Sequence, residues 1–177
     1  IKPYNKLRNL AINILPYDLT SGQISVIREI DNDLASEDKM LRLLQGDVGS
    51  GKTIVAFLTL ISTVEAGFQG AFMAPTEILA RQHFEFLKPI ASGIGISVDI
   101  ITGKDTKSKR ALILEKLETG ATNLLIGTHA LFQNEVKFKN LGYAVIDEQH
   151  KFGVNQRLAL GDKGAGTNIL IMTATPI

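Results

Sequence analysis

The residues best suited to chemistry lie between Gly46 and Thr53, where the sequence reads GDVGSGKT. This stretch matches the pattern G-x-x-x-x-G-K-[ST] in full. Its glycines let the backbone curl so that several N–H groups face one anion. Lys52 supplies a mobile charge for the β and γ phosphates, and the Thr53 hydroxyl can bind Mg²⁺. The stretch predicts a nucleoside triphosphate site built by Gly46, Asp47, Val48, Gly49, Ser50, Gly51, Lys52 and Thr53.

A magnesium ion bound to phosphate needs a carboxylate from another part of the chain. Asp147 and Glu148 follow the apolar run YAVI. Asp147 is predicted to hold the metal, through water, and Glu148 to orient or deprotonate the attacking water. A solvated loop after a strand is the structural alternative. A buried and unpaired carboxylate is costly, however, which favours the functional interpretation.

The rest of the chain alternates short apolar runs with longer helical patterns. Such runs are typical of strands buried on both faces in a parallel sheet. The pattern predicts an α/β fold, a mostly parallel doubly wound sheet with helices on both faces, spanning residues 20–177. Residues 1–19 do not fit the alternation and are interpreted as a linker or arm from a preceding region. Strands are predicted at 41–45, 70–74, 97–102, 123–128, 143–147 and 168–173, and helices at 21–34, 52–67, 76–90 and 108–120.

Composition excludes several classes of protein. The 177 residues include no cysteine, which rules out disulfides and thiolate metal sites and fits a reducing cytosol. Net charge is +1, so the chain lacks the strong basic excess of a domain that holds DNA by charge alone. No apolar stretch reaches the ~18 residues of a membrane span. The start has no signal-peptide pattern and no initiator Met, which predicts an excised piece of a longer chain.

Several motifs together resemble a known family. The glycine loop, the box DEQH at 147–150 and the segment TATP at 173–176 resemble the first motor domain of superfamily 2 helicases and translocases. The stretches LLQGDVGSGKT, MAPTEILARQH, IGTHALFQ, VIDEQHKFGVNQR and MTATPI resemble the bacterial RecG-type ATP-dependent DNA helicases. Transcription-repair coupling factors are the alternative, and Ser50 and Gln149 favour the RecG type.

This resemblance implies a RecA-like P-loop NTPase domain in a cytoplasmic protein that uses ATP and Mg²⁺ and acts on branched DNA in recombination and repair. It also implies roles for further residues. Gln23 would read adenine, since an amide is both donor and acceptor. Contacts to the DNA backbone are implied for Pro75, Thr76, Arg81, Thr102, Gly103, Thr128 and His129. Coupling of nucleotide state to DNA movement is implied for Gln149, His150, Thr173 and Thr175. Lys151 stands where the family pattern has arginine.

Each of these residues also has a purely structural interpretation. Gln23 could be a solvent-facing helix residue, and Thr76 could be an ordinary helix cap. Thr173 and Thr175 could simply form a turn after a buried strand. The basic segment KDTKSKR at 104–110 is interpreted as a solvated helix start rather than a DNA contact. The three histidines lack the spacing of a zinc site.

The resemblance also implies parts that this chain does not carry. Superfamily 2 motors hold ATP between two RecA-like domains, and the second supplies an arginine finger. A separate wedge region recognises branched DNA. Because an arginine finger contributes about 10³–10⁵ in rate, this chain alone is expected to bind ATP weakly and hydrolyse it poorly.

Two other classes of function remain open at this point. A small-molecule kinase would carry an arginine-rich lid, and a transport ATPase an LSGGQ-like signature. Neither feature is found in the sequence. A nucleotide-dependent binding module without catalysis could dispense with Glu148.

Overall fold

The computed structural model describes residues 1–2, 4–46, 51–148 and 166–173. In these residues the chain forms one six-stranded sheet in which every pairing is parallel. The strands are β1 (Leu41–Gln45), β2 (Gln69–Met73), β3 (Val98–Ile101), β4 (Leu124–Gly127), β5 (Leu141–Glu148) and β6 (Asn168–Thr173). The helices are α1 (Lys6–Ile14), α2 (Ser21–Ala35), α3 (Lys52–Glu65), α4 (Glu77–Ile94) and α5 (Lys107–Thr119), with a short 3₁₀ helix at His129–Phe132.

The strand order is β1-β6-β5-β2-β4-β3. The last described strand therefore lies between the first strand and β5. Alternate residues of a strand face opposite sides, so each strand contributes to two cores. On β5, Tyr143 and Val145 join one core, and Ala144 and Ile146 join the other. The doubly wound parallel fold with helices on both faces is confirmed.

Helix α3 is buried around its whole circumference, with every residue from Ile54 to Thr63 below one tenth exposed. It is packed between the sheet and helices α1 and α2. An apolar surface on all sides is what a fully enclosed helix needs. The helix ends in a Schellman motif, because Gly67 has φ +96° and Phe68 N donates to Thr63 O. The helix therefore ends within two residues of the end of its predicted range, 52–67.

Tyr143 anchors α3 to the sheet. Its hydroxyl lies 3.1 Å from Thr59 Oγ1, and both side chains are fully buried. Burial raises the pKa of the Tyr143 phenol well above its ordinary value, and the hydrogen bond with Thr59 partly opposes this. The hydroxyl therefore stays neutral and holds the helix that carries Lys52 at its start.

Helices α4 and α5 differ from their predicted ranges at their boundaries. Helix α4 continues through Pro89 to Ile94, four residues beyond the predicted end, and Gly95 caps it in the left-handed region with φ +81°. Helix α5 begins after Thr106, whose hydroxyl accepts from Lys109 N. This supports the interpretation of residues 104–110 as a helix start. Gly120, the last residue of the predicted range 108–120, caps α5 in the left-handed region with φ +85°.

Part of the predicted arm is an ordered helix. Helix α1 contacts α3 and α4, and Ala11 and Leu15 belong to the core. Arg8 is 5% exposed, and its guanidinium makes two 2.7 Å hydrogen bonds to Asp31 on α2. Its Nε also donates to Leu58 O on α3. These contacts attach α1 to the helices that cover the sheet, while the division of the chain at residue 20 stays a prediction.

The Arg8–Asp31 pair yields a test of this attachment. We expect Asp31→Asn to lower the free energy of unfolding by about 3 kcal/mol, because Arg8 would be left buried without a countercharge. Asp33→Asn is the matched control. Its partner Arg42 is more exposed, and their hydrogen bond raises the pKa of Arg42. The control should cost less than about 1 kcal/mol. Urea denaturation measures both, and equal losses would contradict the attachment of α1 through Arg8.

Candidate nucleotide and nucleic-acid sites

The carboxyl ends of all described strands lie along one edge of the sheet, because the strands are parallel. Ligands of open α/β sheets bind at this edge. The strand order divides the predicted site residues into two groups. Apart from Gln23 on α2, the residues predicted to bind nucleotide lie at or after the ends of β1, β5 and β6, and those predicted to contact DNA follow β2, β4 and β3. The two groups meet where β5 pairs with β2.

Lys52 lies at the start of α3, over the ends of β1 and β6. Its Nζ donates to Gly46 O at 2.5 Å and to Thr173 O at 3.0 Å. The ammonium group is therefore held at the edge by backbone carbonyls of two neighbouring strands. Thr53 follows in the first turn of the helix, which carries the partial positive charge of the helix N-terminus. Cation, hydroxyl and helix end together form a site suited to an anion.

Gly51 precedes Lys52 and has φ +81°, in the region that favours glycine. The Gln23 amide lies against it, and Gln23 Nε2 donates to Gly51 O at 3.4 Å. Gln23 also completes a capping box with Thr20 at the start of α2. Gln23 thus has a helix-capping role, and its amide group also contacts the loop. The sequence pattern T-x-x-Q could have predicted this capping box.

A cleft of about 240 Å³ lies beside this contact. It is lined by residues of the α2 start, the end of β1 and the start of α3. The lining residues are Thr20, Gly22, Gln23, Val26, Leu44, Gln45, Gly46, Lys52 and Val55. The cleft therefore joins the predicted adenine-reading residue to the predicted phosphate-binding lysine.

Asp147 and Glu148 lie at the end of β5. Asp147 pairs in register with Met172, and Glu148 with Thr173. Thr173 O accepts a hydrogen bond from Lys52 Nζ. The pairing of β5 with β6 therefore places Asp147 on the strand next to the one whose carbonyl holds the lysine. The Asp147 side chain is 20% exposed. The prediction for the Glu148 carboxylate lies outside the part of the chain that the structure describes.

Mg²⁺ binds few protein ligands directly, prefers oxygen, and keeps several waters beside substrate phosphates. Thr53 and Asp147 offer one hydroxyl and one carboxylate, which fits this chemistry. Within the described residues, no group of three or more histidine, cysteine or acidic side chains could hold a metal. The Thr53 hydroxyl and the Asp147 carboxylate are oxygen donors that suit a magnesium ion bound mainly by phosphate and water.

The residues predicted to contact DNA lie at the ends of three adjacent strands. Thr76 caps α4, since its Oγ1 accepts from Leu79 N at 3.2 Å, and Arg81 on the same helix is exposed. Thr128 is half-buried and His129 is exposed at the start of the 3₁₀ helix. Proline 75 is half-buried beside the cap. We call the ends of β1, β6 and β5 the nucleotide half of the edge and the ends of β2, β4 and β3 the DNA half. The residues predicted to contact DNA, here called the DNA row, lie along the DNA half.

Thr102 and Gly103 differ in exposure. Thr102 is only 2% exposed, and its hydroxyl accepts from Lys104 N. Gly103 is exposed, and its N–H donates to Glu77 Oε1 at 3.0 Å. Glu77 is a residue that the sequence analysis did not single out. It joins the start of α4 to the end of β3, and only the fold brings these segments together.

The basic segment 104–110 is largely neutralised by neighbouring acids. Lys109 pairs with Asp105, Lys104 with Glu77, and Arg110 with Glu135 at 2.6 Å. In each pair at least one side chain is more than half exposed, which favours a solvated surface over a dedicated phosphate contact.

Several predicted residues lie outside the described part of the chain. In the glycine loop these are Asp47, Val48, Gly49 and Ser50, and after β5 and β6 they are Gln149, His150, Lys151 and Thr175.

The geometry of this edge agrees with comparisons to known proteins. The family model for DEAD/DEAH box helicases matches residues 20–177. The chain belongs to the DEAD/DEAH box helicase family. In the described part of this helicase domain, no helix is long and apolar enough to cross a membrane.

Similar proteins narrow the position within the DEAD/DEAH box family. The chain is 52% identical over 173 residues to the ATP-dependent DNA helicase RecG of Staphylococcus epidermidis, covering 98% of this chain and 25% of that protein. It is 50% identical over 166 residues to RecG of Borreliella burgdorferi, covering 94% of this chain and 24% of that protein. The chain therefore spans about a quarter of the length of these relatives.

Solved structures show the same likeness. A structure of RecG bound to a three-way DNA junction matches with a TM-score of 0.87 and 47% identity, over 99% of this chain and 24% of that one. The helicase MrfA, bound to DNA and AMPPNP, matches with a TM-score of 0.74 and 18% identity, over 99% of this chain and 27% of that one. The second likeness shows the fold, and the resemblance to RecG-type helicases expected from the motifs is confirmed.

Gly51 provides a test of whether the cleft beside Gln23 binds nucleotide. A Cβ added there would lie 1.9 Å from Gln23 Nε2, so we expect Gly51→Ala to displace the amide from the cleft. Gly67→Ala is the control, because Gly67 also has positive φ but open space around it. Both variants should lose about 1–2 kcal/mol of stability from backbone strain. Only Gly51→Ala should weaken binding of a fluorescent ATP analogue, by about tenfold. Unchanged affinity in Gly51→Ala would contradict the role of this contact.

Proposed function

We propose that this chain is the ATP-binding motor domain of a RecG-like DNA helicase or translocase that remodels branched DNA, such as stalled forks and Holliday junctions. The observation that carries the proposal is the two-part edge of the sheet, with nucleotide-type chemistry at β1, β6 and β5 and the predicted DNA row beside it. Identity of about half the residues to proteins named RecG supports the assignment. The proposal includes a cytoplasmic location, since both ATP and DNA are found there in bacteria.

ATP would be bound at the start of α3. Lys52 would exchange its hydrogen bonds to Gly46 O and Thr173 O for the β and γ phosphates, which accept more strongly because they are charged. The loop amides and the helix N-terminus would surround the same phosphates. Gln23 would present its amide to the adenine edge from the start of α2. The cleft beside Gln23 and Lys52 supports this orientation.

The carboxylates of β5 would complete the site. Mg²⁺, when bound, neutralises charge on the triphosphate. Thr53 and Asp147 are the residues proposed to hold it, directly or through water. Glu148 would orient the attacking water and accept its proton. Its position beside Asp147 at the strand end supports this division of roles.

The DNA backbone would run along the ends of β2, β4 and β3. Thr76 and the start of α4 would receive a phosphate, with Arg81 as a nearby charge. Thr128 and His129, then Thr102 and Gly103, would contact successive parts of the same strand. For the Gly103 N–H to bind phosphate, Glu77 would have to release it. Gln149, His150, Thr173 and Thr175 would link this row to the nucleotide.

The nucleotide site can be tested on the chain itself. We expect Lys52→Ala to weaken binding of a fluorescent ATP analogue at least tenfold, because the main cation of the site is lost. Lys104→Ala is the control, since its side chain is 89% exposed and lies on the other half of the edge. Thermal melting shows whether each variant is folded. Wild-type affinity in a folded Lys52→Ala variant would reject this nucleotide site.

The motor function needs the longer protein. We expect the isolated chain to turn over ATP at least 10³-fold more slowly than a full-length protein containing it, in the presence of forked DNA, because a second motor domain would supply the arginine finger. Steady-state phosphate release measures both rates. Forked DNA should stimulate the full-length protein, and linear duplex DNA serves as the control. Comparable turnover by the isolated chain would refute the need for a second domain.

A further inference from the structure

His83 is a half-buried polar residue with a buried Nε2 atom, and the proposed function so far gives it no role. It lies on α4, two turns after the capping Thr76. Ala80 and Leu87, three residues before it and four after it, are both fully buried. His83 therefore lies on the face of α4 that packs against the rest of the domain, and its side chain is 16% exposed.

Two phenylalanines fix the imidazole ring. Phe72 of β2 meets it edge to face, with ring centroids 5.0 Å apart and planes at 65°. Phe57 of α3 meets it similarly, at 5.9 Å and 80°. The ring thus contacts α3, the helix that begins with Lys52, and β2, the strand that precedes Thr76. Edge-to-face contacts of this kind restrain the orientation of a ring.

The buried ring nitrogen points toward the predicted metal ligand. His83 Nε2 has no hydrogen-bond partner in the described structure. It lies 3.8 Å from Asp147 Oδ2. A buried polar atom without a partner carries a free-energy cost, which a phenylalanine or leucine in the same aromatic environment would avoid. A closer approach of about 1 Å would bring the two atoms to ordinary hydrogen-bond distance.

We propose that His83 is a positioning residue for the metal site. Its Nε2–H donates to Asp147 Oδ2 when nucleotide and magnesium are bound, and this leaves the other carboxylate oxygen oriented toward the ion. The inference rests on the proposed function, because it takes Asp147 as a metal ligand. Carboxylates that bind metals are generally oriented by a second hydrogen bond of this kind, and loss of such a partner typically costs 10–100-fold in metal affinity.

The location of His83 distinguishes it from a residue that only fills space. Helix α4 follows β2, on the DNA half of the edge, whereas Asp147 ends β5 on the nucleotide half. Phe72 is in register with Val145, so the neighbouring strand ends lie side by side. His83 therefore connects α4, the helix that begins after the predicted DNA contact Thr76, with Asp147, the predicted metal ligand.

The test measures how much Mg²⁺ strengthens nucleotide binding. The affinity of the chain for a fluorescent ATP analogue is measured with Mg²⁺ and with EDTA, and the ratio gives the enhancement by metal. His83→Phe keeps a ring but removes Nε2. His83→Gln can place an amide nitrogen near the position of Nε2, whereas His83→Asn is too short. Each variant is also made with Asp147→Asn, and thermal melting reports folding.

We expect His83→Phe to reduce the enhancement about tenfold without changing affinity in EDTA. His83→Gln should restore most of it, and His83→Asn should not. If His83→Phe does not fold, the difference between the Gln and Asn variants decides. With Asp147→Asn present, the loss caused by the His83 substitutions should disappear, because the two residues act through one contact.

Three outcomes would overturn the inference. The first is a folded His83→Phe variant within twofold of the wild-type enhancement. The second is an equal fall of affinity with and without metal, which indicates a packing role. The third is a full additional loss in the Asp147→Asn background. If one of these outcomes occurs while Mg²⁺ strengthens binding of the ATP analogue to the wild-type chain, the proposed function stands and only the role of His83 fails. If it binds no ATP analogue under either condition, both fail.

Discussion

The parallel pairing of β6 between β1 and β5 is the constraint on which the site depends. It sets Thr173 O beside the end of β1, where it accepts from Lys52 Nζ, and it sets Asp147 on the strand next to Thr173. Hydrogen bonds of the sheet therefore determine the spacing of a cation and a carboxylate that lie almost a hundred residues apart. Flexible side chains contribute the final contact, but the backbone ladder brings them together. A strand in any other position would separate these groups.

Strand order also explains how the residues predicted to bind nucleotide and those predicted to contact DNA occupy separate parts of one edge. The connection from β2 to β3 and β4 extends the sheet away from the nucleotide half, so the two groups of loops meet only at the β5–β2 pairing. Helix α4 begins at that boundary. It carries Thr76 at its start and His83 two turns later, about 10 Å along the axis at 1.5 Å per residue. One rigid element thus contacts both halves.

Much of this fold follows from local patterns in the sequence. All six strands were predicted to within two residues at each end, because strands buried on both faces are apolar almost throughout. The position of β6 could not be predicted in this way, since strand pairing is not local. Helix α1 was missed because the Arg8–Asp31 pair and the contact with α3 hold it in place, and these partners are distant in sequence. Motifs indicated Lys52 and Asp147, but His83 has significance only through its neighbours.

If His83 orients Asp147, the position of α4 and the affinity for the metal must be linked. A phosphate of DNA at the start of α4 would act on the same rigid helix that carries the imidazole, and a small displacement would change the 3.8 Å separation from Asp147. Any such change in metal affinity on DNA binding requires an equal change in DNA affinity on metal binding, because coupling free energies are reciprocal. A helicase needs this kind of link, since ATP turnover is useful only when a strand is bound. The link proposed here uses one helix and one hydrogen bond, and it lies within a single motor domain.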